Sequence, residues 1–583
     1  MKRRHRGRWL FGLVVLVVLG AVAYGAWTAL SLRSHLSAAN TEAHDLRTAV
    51  IARNETAARR SFTDLSNDLQ AAHDRAESPA WSVAKVLPGI GDDAKAVAAV
   101  ADAGNDLTHG SLRRLVQSGD WQLVDKLTPQ HGRVDVGAIK KLAPTVAGLS
   151  RDFARAQQQL AGIDSKQLSS WVRPSFDNAR NQVDQTAGPL AAADRAFRVL
   201  PAMLGADGPR TWLLVFGNNA EIRATGGLPG AVALVRTDHG RISLGRQAST
   251  SDFPQAKRPI LPPTPAERTI YHDQPGIFFA DANFIPEFPR TAELWRAWWQ
   301  QRYGQQVDGV ASIDTVTLSY LLRATGPVTV DGVQLSAGNA TDELLHRTYE
   351  RLPTNDEQNA FFADVARTMF ATVTNGSGSP SDLVGAVSQG VTEGRIYVHS
   401  FHEDSQRVLQ PTSIAGTMDF STSGRPQLGI WLNDGTGSKM SYYLRTDVRA
   451  SSRSCAAGRQ TLTMSMRISS TAPKDASKLP LYITGGGNYG TAKGHQLVVA
   501  HVYGPKGGKL SDFAFSGRHV PVHILDDRGR PVATPVVDLA PGQTTTITFR
   551  VTTGIGQRGA TELTQGPGME SRQARTTIPT SCG

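Results

Sequence analysis

Cysteine is almost missing from this chain: two of 583 residues, Cys455 and Cys582, both late in the sequence. That scarcity excludes a zinc-ribbon or zinc-finger framework, which needs paired thiolates at fixed spacing. Neither cysteine has local surroundings that suggest a catalytic thiolate with a partner histidine. In an exported protein, two such residues read as one disulfide, and Cys455–Cys582 is the expected pair. Other patterns are missing too. There is no G-x-S-x-G elbow, no P-loop and no G-x-G-x-x-G after a strand, which removes the commonest hydrolase and nucleotide-binding signatures. The formal net charge is +11, yet no dense Lys/Arg helix or RNP-like aromatic motif accompanies it. Nucleic acid is therefore not an expected partner. An anionic envelope surface or a phosphate-bearing lipid fits that charge equally well.

Charged residues are absent from Trp9 to Leu30, directly after the basic cluster Lys2 to Arg8. A run of that length can cross ~30 Å of hydrocarbon as a helix. The basic flank predicts a cytoplasmic N-terminus. Ala21-Val22-Ala23 resembles a signal-peptide cleavage site, but the apolar run continues beyond it, which favours an uncleaved anchor. The expected localisation is the plasma membrane, single-pass, with the bulk of the chain extracytoplasmic.

The expected fold class is multidomain α+β. It comprises a cytoplasmic basic tail (1–8), an N-terminal transmembrane helix (9–30), a helical stalk or bundle (31–204), a mixed α-β-α central domain (205–440) and a C-terminal β-sandwich (441–583). The stalk is read from helical spacing, as in Leu65 with Leu69 and Phe153 with Ala156 and Leu160. Prolines at Ser78-Pro79, Leu87-Pro88, Thr128-Pro129 and Arg173-Pro174 break it. The central domain alternates strand and helix signals. Asp314 is placed to cap a helix over 315–325, and Asp331-Gly332 to turn a hairpin. The last region shows short β-rich runs between Gly/Pro/Asp turns.

The stretch Thr211 to Arg246 organises the rest. An apolar run, Trp212 to Phe216, leads into a polar segment with Asn218, Asn219, Glu221 and Arg223, then Gly226-Gly227 and Pro229-Gly230. Polar groups at the end of a central strand are held still by the sheet, as a binding site requires. Asp281, Arg347 and Arg351 are further candidates near predicted strand ends. Arginine grips phosphate through bidentate hydrogen bonds. Asp281 could share a Mg²⁺ that neutralises a leaving group. A second account of the same residues stays open, in which Glu221 and Arg223 form a structural ion pair and Arg347 and Arg351 sit on a solvated helix face. His399, His402, Glu403 and Asp404 read as a polar loop rather than a metal cluster, because they follow a β-like run in which neighbours alternate faces.

NNAEIRATGGLPGAVALV, DANFIPEFPRTAELW and SKMSYYL with APKDASKLPLYITG resemble the domain-of-unknown-function 4012 family of cell-envelope membrane proteins. Trp212 to Val373 is also similar, more distantly, to the LytR-CpsA-Psr phosphotransferases. There VDGVASIDTVTLSYLLRATGPVTVDGVQL parallels the strand, helix and hairpin, and HRTYERL the arginine helix. Two of that family's motifs differ here, reading Glu357-Gln358 and Gly226-Gly-Leu-Pro229. The second resemblance implies transfer of a glycan from a polyprenyl-pyrophosphate carrier. Arg223 and Asp281 would be catalytic, with Asp281 on Mg²⁺. Asn218, Asn219, Glu221, Arg347 and Arg351 would bind substrate. The implied partners are the membrane, a polyprenyl-pyrophosphate-linked glycan and other envelope proteins. The alternative is a non-catalytic binding or scaffolding protein of envelope polysaccharide assembly.

Overall fold

The computed structural model describes residues 31–582 apart from 33, 47, 50, 51, 53, 119, 422 and 423. The chain divides into two compact units, one of residues up to 127 with 135–201, the other of 128–134 with 202–583. The first is built from helices, the longest being α1 (Glu55–Ala76), α2 (Gly91–His109), α3 (Val136–Ala161) and α4 (Arg173–Met203). Asn54 and Asp135 accept hydrogen bonds from the first-turn amides of α1 and α3, which supplies partners the helix itself lacks. Alanines do much of the packing: Ala96, Ala103 and Ala156 lie with Leu160 and Phe176 in one buried cluster.

The architecture expected from the sequence included a membrane-spanning helix and a single-pass placement in the plasma membrane. Both are corrected. Among the described residues no helix is long and apolar enough to cross a membrane. Residues 9–30, on which that expectation fell, lie outside the described residues.

The second unit holds a mixed five-stranded sheet. Its strands are β1 (Arg210–Arg223), β2 (Gly226–Asp238), β3 (Arg241–Ser249), β4 (Gly309–Asp314) and, after the hairpin β5 (Val328–Val330) and β6 (Val333–Leu335), β7 (Ile396–Ser400). The order is β3-β2-β1-β4-β7. β1 is central, parallel to β4 and antiparallel to β2. Helix α5 (Phe288–Tyr303) packs on this sheet, with Trp295, Trp298 and Trp299 buried in the same core as Leu213 and Val215 of β1. Helix α6 (Thr315–Thr325) follows β4 and is capped by Asp314.

The β-rich part of this unit is two sheets of five and seven strands. β8 (Gln427–Asp434) lies inside the larger one, antiparallel to Gln496–Tyr503 and parallel to Thr561–Gln565. Alternating residues of the two sheets, such as Met464, Met466, Val498 and Val502, form its core. The expected disulfide is present: Cys455 and Cys582 are bonded with Cα atoms 5.1 Å apart. Because it joins residues 127 apart in sequence, it removes a large loop-closure entropy from the unfolded chain.

Candidate functional site

β1 is an apolar strand only as far as Phe216. Beyond it, Asn218 pairs with Leu228 and Ile222 with Gly227, so Asn219, Ala220 and Glu221 have no opposite residues on β2. Such a bulge re-aims side chains that a regular ladder would send to alternating faces. The two glycines of the motif make it possible. A Cβ on Gly227 would lie 2.0 Å from the Asn218 carbonyl oxygen, and Gly226 has φ +133°. The bulged end of β1 meets the β-rich part: the Ala224 amide donates to Asn433 Oδ1 at 2.9 Å and the Ile222 amide to Ser441 Oγ at 3.2 Å.

At this joint lies a buried ion cluster. Arg223 Nη2 donates to Glu221 Oε1 at 2.6 Å and to Asp281 Oδ1 at 3.3 Å. Its Nη1 donates to the carbonyls of Ile222 and Asp434, and its guanidinium lies 4.5 Å from the centre of the Phe284 ring. Lys439 Nζ donates to the other Glu221 oxygen at 2.5 Å. Side-chain exposures of Arg223, Glu221 and Lys439 are only 4–5%. Asp434 accepts from the amides of Thr436 and Ser438 and from the Thr436 hydroxyl.

Burial alone would raise the Glu221 carboxyl, but Lys439 and Arg223 overcome it and hold it below the usual range. Burial would likewise lower Lys439, and Glu221 reverses that, so the ammonium stays charged. Asp281 is different. Burial pushes it up to about 6, Arg223 offsets only part of the rise, and Glu221 adds to it. Asp434 is also pushed up to about 6 by burial and by Glu221. Burial is the larger cause for both, and the neighbouring Glu221 carboxylate adds to it.

A carboxyl raised in the folded state contributes stability below its ordinary value near 4 and loses it as pH rises through about 6. Asp281→Asn, permanently neutral, should therefore flatten the fall in stability between about pH 4 and 6. At pH 7.5 it should match or exceed wild type by about 1–3 kcal/mol. Denaturant midpoints at both pH values check this; a variant less stable than wild type throughout would contradict it.

A second network adjoins the first. Asn219 Nδ2 donates to Asp314 Oδ2 at 2.8 Å, and Arg395 Nη1 donates to the same oxygen at 2.7 Å. Arg395 Nε donates to Glu393 Oε2 at 2.6 Å, and its remaining donors reach the carbonyls of Gly568 and Glu570. Asn218 Nδ2 donates to the buried Tyr349 hydroxyl.

Arg347 and Arg351 lie elsewhere. They line an open cavity of about 700 Å³ together with Asp342, Glu343, His346, Glu350, Tyr442 and Tyr443. Neither Arg223 nor Asp281 belongs to that lining. Arg347 pairs with Asp342 at 2.6 Å and Arg351 with Glu343 at 3.2 Å. The cavity wall contains a π-helical turn, Glu343–Arg347. The structure thus brings Asn218, Asn219, Glu221, Arg223 and Asp281 to one joint and places Arg347 and Arg351 at another site. Sequence reasoning missed Asp434, Lys439, Arg395 and Glu393, although SKMSYYL had been singled out and Glu393-Gly-Arg395 repeats the Glu-x-Arg spacing of Glu221-Ile-Arg223.

Residues 207–349 match a known family. Its description is "Protein of unknown function (DUF4012)". The matched segment begins just before β1 and ends at Tyr349, so it contains the bulge, Arg223, Asp281 and most of the cavity's helical wall. The match gives no support to the LytR-CpsA-Psr likeness or to a cell-envelope membrane assignment. No curated protein and no solved structure matches the chain.

The residues present do not suit Mg²⁺ at Asp281. Both Glu221 oxygens are held by Lys439 and Arg223, and both Asp434 oxygens by Thr436 and Ser438. Asp281 has one oxygen on Arg223, which leaves a single carboxylate oxygen beside a guanidinium. Among the described residues no group of three His, Cys, Asp or Glu could hold a metal ion.

Proposed function

We propose that this is a non-catalytic binding or scaffolding protein for glycopolymers. The observation that carries this reading is the burial of Arg223 with its Nη donors already spent on Glu221, Asp281 and two backbone carbonyls. A pyrophosphate grip needs two parallel guanidinium donors facing an open site. Only the Nε–H of Arg223 has no acceptor, and it too is buried. Arg347 and Arg351, the other two members of an arginine grip, face a cavity that Arg223 does not line. Arg223 instead acts as a fixed cross-brace at the end of β1, and the open cavity is the surface available to a ligand.

The test offers the full chain a polyprenyl-pyrophosphate-linked oligosaccharide, a hydroxyl-bearing wall glycan as acceptor and Mg²⁺, and follows release of polyprenyl phosphate. The expected result is no turnover by wild type, with Arg223→Lys lowering the melting temperature. Turnover that disappears in Arg223→Lys would overturn the reading and restore the phosphotransferase.

A further inference from the structure

Resting on that binding reading, we propose that the cavity between the π-helical turn Glu343–Arg347 and Tyr442–Tyr443 is a subsite for an uncharged glycan chain. Its volume, about 700 Å³, falls within the ~300–1,000 Å³ typical of ligand sites. One wall is aromatic. The His346 ring stacks on Tyr442 with centroids 4.9 Å apart, and Tyr443 meets His346 edge-on at 5.6 Å. These rings are fixed by their polar ends: the Tyr442 hydroxyl donates to Asp342 Oδ1 at 2.8 Å, and the Tyr443 hydroxyl shares a 2.6 Å hydrogen bond with His346 Nε2. Rigid, half-buried tyrosines offer apolar area at low entropic cost, which suits the C–H face of a sugar ring.

The other wall mixes signs. Arg347 and Arg351 are already paired with Asp342 and Glu343, yet each guanidinium keeps further N–H groups, with side-chain exposures of 60% and 38%. Glu350 is the acceptor with most to spare: the nearest ring nitrogen, His346 Nδ1, is 3.6 Å away, and 45% of its side chain is exposed. Donors and acceptors therefore alternate around an aromatic floor, as the hydroxyls of a sugar require. Three carboxylates against two guanidiniums disfavour a polyanion. The π-turn adds an independent sign, because a helix gives up regular hydrogen bonding there and such turns concentrate at functional sites. Here it projects His346 and Arg347 into one opening, while the Thr348 hydroxyl donates to the Glu343 carbonyl at 2.6 Å to support the distortion.

Calorimetric titration of the full chain with maltohexaose, cellohexaose, mannohexaose and hexa-N-acetylchitohexaose, with hexagalacturonate as the anionic comparison, tests this. At least one neutral hexasaccharide should bind, and hexagalacturonate at least tenfold more weakly. Tyr443→Ala should weaken binding about tenfold. Glu350→Gln, on the half-exposed rim, should weaken it several-fold with the melting temperature unchanged. If no neutral member binds, if hexagalacturonate binds as well, or if both variants bind like wild type, the subsite is refuted. That outcome differs from turnover of the polyprenyl substrate, which would refute the non-catalytic reading instead.

Discussion

Lys439→Met should cost about 3–5 kcal/mol of folding stability, as expected when one member of a buried ion cluster is removed and its partner stays behind. Glu221 accepts from Lys439 at 2.5 Å and from Arg223 at 2.6 Å, with only 5% of its side chain exposed. Without the ammonium, Glu221 must share Arg223 with Asp281 and keep one oxygen buried without a donor, or take up a proton. Lys439 also lies 5.4 Å from the centre of the Tyr482 ring and 5.9 Å from that of Tyr349, contacts that Met replaces only as apolar packing. The double variant Glu221→Gln/Lys439→Met should recover much of the loss, because it removes both charges. Arg223→Lys should also destabilise, since an ammonium cannot serve Glu221, Asp281 and two carbonyls from one position. Denaturant unfolding followed by tryptophan fluorescence measures all three. A Lys439→Met protein as stable as wild type, or a double variant worse than the sum of its singles, would remove the cross-brace from the argument.

What the sequence made legible was local. Asp314 caps Thr315–Thr325, Asp331-Gly332 turns β5 into β6, and Trp295, Trp298 and Trp299 are core; each follows from residues within one or two turns of each other. The two late cysteines needed no geometry, because no other partner exists in the chain. The site was only half legible. Glu221 and Arg223 stand two apart and could be seen as a pair, but whether that pair faced solvent depended on a bulge that periodicity does not encode. The partner that decides the question, Lys439, is 218 residues away from Glu221. Arg347 and Arg351 carried the right chemistry for phosphate, yet they lie on and just after a distorted helical turn and line a different opening, with Tyr442 and Tyr443 from far along the chain. Long-range pairing of this kind leaves little local trace. The SKMSYYL segment around Lys439 and the recurrence of Glu-x-Arg at 393–395 were the cues available.

Arg395 is the place where the second cue leads furthest. Its side chain is fully buried, and every donor contact found for it is internal: Glu393, Asp314, and the carbonyls of Gly568 and Glu570. Burial would depress its pKa, but Asp314 and Glu393 raise it instead, so it stays cationic at any working pH. Removing it touches three structures at once. Asp314 would keep its bonds to Asn219 and to the Thr317 amide that starts α6, but would hold a buried charge without a counter-ion. Glu393 would retain Tyr320 and Ser571 but lose its cation. Two carbonyls near residue 570 would lose their donors, and with them a tether between β7 and the segment after Thr561–Gln565. Arg395→Met should therefore lower stability by about 3–5 kcal/mol. Arg395→Lys should rescue only part of this, since one ammonium cannot reach two carboxylates and two carbonyls together. If Arg395 were merely one more neutral contact, Lys would restore wild-type stability and Met would cost about 1 kcal/mol. The size of the gap between the Lys and Met variants, read from the same unfolding curves, separates those two cases.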